Sequence, residues 1–156
     1  MVNISVQQAA RIETKARDLW NRAIRRGRVK QWWAKLTGNS RELLSLMDIT
    51  HEFDVVSFER IERKPVRLAN IRGTAGRLEA FDIDFYPLAP RLRDRWKSIA
   101  KGMLRDISRL PPIELIQVGD DYYVVDGHHR VSVARALKYI SIDADVITWE
   151  VTERKV

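Results

Sequence analysis

At 156 residues, 45% of them apolar, the chain is long enough to bury one core and suits a single globular unit. It contains no cysteine, which excludes disulfides, thiolate metal sites and cysteine nucleophiles and leads us to expect a reducing, cytoplasmic setting. The net charge is +7, and residues 1–50 hold ten Lys or Arg against four Asp or Glu. That block reads either as a phosphate-facing surface for nucleic acid or as a solvated helix face. No stretch approaches the roughly 18 apolar residues of a membrane span, and residues 1–10 lack the regions of a leader, so no membrane contact is expected.

The N-terminal third is predicted to be helical. Ala9, Ile12, Ala16, Leu19, Trp20 and Ala23 recur at three- and four-residue spacing, predicting a helix over 5–26 that Gly27 ends. A second helix is predicted over 29–36 and a third over 41–47, capped by Ser40. Trp32 and Trp33 lie beside Arg and Lys. Such tryptophans either stack on bases or close a helical layer onto a core, and the second is the commoner role.

After residue 50 the texture changes, with a short extended bridge over 51–56 and a strand over 65–71 that starts at Pro65. The loop that follows is Arg72-Gly73-Thr74-Ala75-Gly76-Arg77. Gly73 and Gly76 either turn the chain or bring backbone amides close to a ligand, with Arg77 flanking them. Residues 81–87 read as extended, which sets Asp82 and Asp84 on one side. There they serve as a general base, as metal-side carboxylates or as partners for neighbouring arginines. A helix is predicted over 90–107, then a strand over 113–118, a turn at Gly119 and a second strand over 122–125. The strand over 142–149 closes the fold.

Between the strand 122–125 and the helix 131–137 stands Asp126-Gly127-His128-His129-Arg130. A glycine, two imidazoles and a guanidinium at a strand-to-helix turn gather donors where helix amides are also free, which is chemistry for an anion. Asp126 is expected to cap the helix, Arg130 to grip phosphate bidentately, and Ser132 to add a hydroxyl. The imidazoles are expected to be neutral donors at pH 7. A hydrolase triad of Asp126, a histidine and Ser132 is disfavoured because all lie within one turn. Zinc is disfavoured because adjacent histidines diverge.

The run from Leu110 to Leu137, with Gly73 to Arg77 and Phe81 to Phe85, resembles ParB-like domains of the ParB/sulfiredoxin superfamily. The resemblance implies an α+β fold, a mixed sheet with helices, over residues 51–156, preceded by a basic helical segment over residues 1–50. It also implies a nucleotide (ATP, ADP or CTP, with Mg2+) as cofactor and an NTPase or phosphotransferase activity. Gly73, Gly76, Arg77, Asp126, Gly127, Arg130 and Ser132 would then surround the phosphates, and His128, His129 and Asp82 would be the catalytic candidates. The superfamily's sulfinic acid reductase chemistry is excluded, because His128 stands where that enzyme needs a cysteine. A DNA-binding or nuclease role, with the basic N-terminal helices on nucleic acid, is the alternative.

Overall fold

The computed structural model describes residues 2–58, 61–76 and 78–154. The chain is α+β, with the element order α1 (Val2–Thr37), β1 (Leu44–Ser45), α2 (Leu46–Ile49), β2 (Phe53–Phe58), β3 (Glu62–Arg67), β4 (Ile71–Thr74), α3 (Arg93–Asp106), β5 (Ile113–Val118), β6 (Asp121–Asp126), α4 (His128–Ala136) and β7 (Ser141–Glu153). The mixed sheet runs β1-β4-β6-β5-β7-β2, and β3 also pairs with β7. Along one edge of β7, β3 pairs with its first half and β2 with its second, both antiparallel. Parallel β5 occupies the other edge.

Alternation along the strands sorts the side chains between two faces. Ile113, Leu115 and Val124 point into the main core, where they meet Trp96 and Met103 of α3 and Val131, Val133 and Ala134 of α4. Ile116 and Tyr123 point the other way and join Leu46 of α2 in a smaller cluster. α3 packs against both α1 and α4. Trp96, fully buried, is the joint: its ring meets Trp20 edge-on at 5.7 Å, and its indole N–H donates to Ser132 Oγ at 2.8 Å.

The first two predicted helices are one continuous helix over 2–37, and the third, predicted over 41–47, is instead a bridge at Glu42 and the short β1, with helix only in α2. Gly27 does not end α1. It sits where the helix crosses Tyr86–Leu88, so close that a Cβ would lie 2.9 Å from the Pro87 carbonyl. Glycine is there to let two backbones touch. The buried stripe of α1 is correspondingly small, with Ala16, Leu19, Trp20, Ala23 and Ala34, and four of those side chains belong to the same core as the sheet. Trp32 and Trp33, expected in a helical layer, are instead 57% exposed. They pack edge-on against each other, on the face of α1 away from its buried stripe. No described helix is long and apolar enough to cross a membrane.

Residues 81–87 are a turn rather than a strand, with only isolated bridges Phe81↔Pro87 and Glu42↔Asp82. Asp82 builds the turn, since its Oδ1 accepts from the amides of Asp84 at 3.0 Å and Tyr86 at 2.9 Å. Phe85 adopts φ of 61° and is buried.

Candidate functional site

β6 leads into α4 through Gly127, the N-cap, which has φ of 107°. The first intrahelical bond runs from the Val131 amide to the Gly127 carbonyl at 3.0 Å. No side chain among the described residues caps the helix, so its first-turn amides are available to a ligand. Asp126 is not the cap. Its carboxylate turns aside to Arg130 Nη2 at 2.7 Å.

These residues line a cavity of about 270 Å³ with Phe81, Leu92, His128 and His129. Besides Arg130, the cations that line it are Arg91, in the 3-10 turn just before α3, and Arg95, in the first turn of α3. Both are exposed, and neither has an ion-pair partner among the described residues. Sequence reasoning did not single them out. The signal was their four-residue spacing on either side of buried Leu92, which sets both on one face of a helical turn.

Arg130 borders the cavity, but its guanidinium is committed elsewhere. Nη1 donates to the carbonyls of Pro111 and Pro112, the latter at 3.1 Å, and Nη2 to Asp126. The side chain is only 11% exposed, so it latches the residue 111–112 turn to the motif. Ser132 is turned into the core, where its hydroxyl accepts from Trp96, and it does not line this cavity. Gly73 lies inside β4, where a Cβ would come within 2.0 Å of the Leu44 carbonyl. It serves the close pairing of β1 with β4 rather than a phosphate cradle. Gly76 follows in a bend with open space around it, and Arg77 lies outside the described residues. Asp82 is fully buried on Arg41 and two amides, and it does not line this cavity.

The two histidines differ. His128 Nε2 meets Thr74 Oγ1 at 2.9 Å, at the end of β4. His129 packs edge-on against Phe81 at 5.1 Å, and its Nε2 is buried without a hydrogen-bond partner among the described residues. Burial pushes the pKa of both down, with Asp126 opposing the shift at His128. Arg95 and His128 add to it at His129, which falls to about 4. Both imidazoles are therefore neutral at pH 7, and the positive charge of the site comes from Arg91, Arg95 and the helix terminus.

That neutrality has a stability signature. The unfolded chain takes up protons near the ordinary histidine value of 6.5, above the folded values, so stability is full above about pH 6.5 and falls as the pH drops towards 4. After solvent screening is allowed for, the loss is on the order of 1–2 kcal/mol. A Tm series from pH 7 to 4.5 should show it, and His129→Leu should flatten the slope without lowering Tm at pH 7. A loss of several degrees at pH 7 in that variant would mean that the buried nitrogen holds a partner.

No protein-family model matches this sequence, and no curated protein matches it. Among solved structures the chain is similar to sulfiredoxin from Arabidopsis thaliana, at 22% identity and a TM-score of 0.35, over 55% of this chain and 83% of that one. Among the described residues, no three His, Asp or Glu side chains are grouped to hold a metal ion.

Proposed function

We propose that the chain is a ParB-like phosphate-binding domain whose ligand is a nucleotide, its phosphates held at the N-terminus of α4. The observation that carries this reading is the pair Arg91 and Arg95, without ion-pair partners among the described residues, at the mouth of the cavity into which uncapped α4 opens. Two guanidiniums and a set of free amides are donors without acceptors, and a phosphoryl group is the acceptor that satisfies both kinds. The neutral imidazoles add hydrogen bonding without further charge, and Arg130 holds the motif in shape from behind. A cavity of about 270 Å³ takes the phosphates and leaves the nucleoside outside, against the rim. The Asp126-Gly127-His128-His129-Arg130 motif supports the same reading through its resemblance to ParB-like domains.

Binding, rather than turnover, is what the groups here support. Asp82 is tied up by Arg41 and the turn, and an imidazole with a pKa of about 4 is a weak base at neutral pH.

The test is thermal shift with ATP, CTP, ADP and inorganic triphosphate. Ligand at about 100 times its Kd stabilises by about 2.7 kcal/mol, which for a chain of this size is a rise of roughly 5–10 °C. Arg91→Ala with Arg95→Ala should remove the rise while leaving the unliganded Tm within about 2 °C, as befits exposed side chains. A panel in which no nucleotide or triphosphate moves Tm would overturn the proposal.

A further inference from the structure

A second polar cavity, about 390 Å³, lies between α1 and the C-terminal half of α4. Arg22, Arg26 and Lys30 line it from α1, and Arg135 and Lys138 from the other side. The only carboxylate among its lining residues is Asp84, already shared between Arg41 and Lys30. Arg22, Arg26 and Lys138 have no ion-pair partner among the described residues. Arg135 is half-buried over the Phe85 ring at 5.2 Å. Its Nη2 donates to the Leu68 and Ile71 carbonyls, while its Nε is buried without a partner among the described residues. Burial pulls its pKa down against the opposing pull of Asp84 and Asp82, and of the five cations that line the cleft only Lys30 has an ion-pair partner among the described residues.

The spacing of these cations selects among anions. Arg22, Arg26 and Lys30 are successive i, i+4 positions, forming one row with a step of about 6 Å along the helix axis. That step is comparable to the separation of successive phosphates on an extended strand. Trp33, three residues beyond Lys30 and seven beyond Arg26, continues the row, and its ring is exposed. Trp32 braces it edge-on at 5.2 Å. Residues 19–41 contain no Asp or Glu, so nothing acidic on this half of α1 repels a polyanion. A basic row ending in a free aromatic face fits unpaired bases, since a base inside a duplex offers no face to stack on.

We propose that the cleft between α1 and α4 binds single-stranded nucleic acid, with phosphates on Arg22, Arg26, Lys30 and Lys138 and a base stacked on Trp33. This site is separate from the cavity at the start of α4 and does not depend on its ligand.

The experiment is fluorescence anisotropy of the full chain with a labelled oligothymidine of about 15 nucleotides, against a duplex of equal length, over a salt series. The strand should bind more tightly than the duplex, with log K falling against log salt at a slope of about −3 for four phosphate contacts. Arg22→Ala with Arg26→Ala should lower affinity at least tenfold and shrink that slope by about 1.4. Trp33→Ala should lower affinity about tenfold with the slope unchanged, and Trp33→Phe should restore most of it. Arg105→Ala with Arg109→Ala, an equal loss of charge elsewhere, should leave affinity within twofold. Equal binding of strand and duplex would overturn the proposal. So would an equal loss in the Arg105 and Arg109 variant, which would reduce the effect to net charge.

Discussion

Gly127→Ala should destabilise the fold by about 3–5 kcal/mol, from left-handed backbone strain of about 1–2 kcal/mol and the remainder from overpacking. The backbone at Gly127 has φ of 107°, and an added Cβ would lie 2.5 Å from Cγ2 of Ile113. Ile113 is fully buried in β5 and has nowhere to retreat. Relief would require β5 and the start of α4 to part, which also breaks the Arg130 latch on Pro111 and Pro112. Gly119→Ala is the control. Gly119 also has positive φ, 60°, but open space around it, so its cost is the backbone strain alone, about 1 kcal/mol. Urea unfolding of the two variants separates strain from collision. A Gly127→Ala cost no larger than that of Gly119→Ala would show that the Ile113 wall yields.

Arg41→Met should cost about 3 kcal/mol, the lower end of what breaking a buried ion pair costs. Arg41 reaches fully buried Asp82 through Nε at 3.2 Å and Nη2 at 2.9 Å and also bonds half-buried Asp84. Without it, Asp82 keeps only its two amide bonds among the described residues, and Asp84 keeps Lys30 at 3.1 Å. Adding Asp82→Asn to Arg41→Met should recover most of the loss, because the stranded charge is gone. A urea double-variant cycle measures the coupling. Asp82→Asn alone should keep any nucleotide-induced thermal shift. Loss of that shift with an intact fold would return Asp82 to the list of functional groups.

How much of this could be read in advance depended on whether the cause was local. The β5 and β6 hairpin and the helix after Gly127 followed from alternation, a turn glycine and small residues at helical spacing, all visible within a few positions. Gly27 and Gly73 escape a local reading because a glycine that ends a helix or cradles a ligand looks the same in sequence as one that another segment touches. Only the fold brings Pro87 to Gly27 and Leu44 to Gly73. The Ser132 hydroxyl looks free in the sequence for the same reason, since Trp96, its partner, is 36 residues away. Arg91 and Arg95 were overlooked in a chain with 28 Lys or Arg, where no local signal separates a cavity-facing arginine from a solvated one.

The strand over 141–153 carries a consequence for how the chain reaches this structure. β2, β3 and β5 all take it as a partner, and the most distant pairing joins Phe53 to Glu153. On the ribosome, the hairpin of β5 and β6 can form early, while β2 and β3 wait with open backbone edges until the last strand emerges. Contacts so far apart in sequence slow folding and lengthen exposure to aggregation. Truncation just before residue 141 would therefore leave three strands without their shared neighbour, and pulse-labelled hydrogen exchange should find β2 and β3 among the last segments to gain protection.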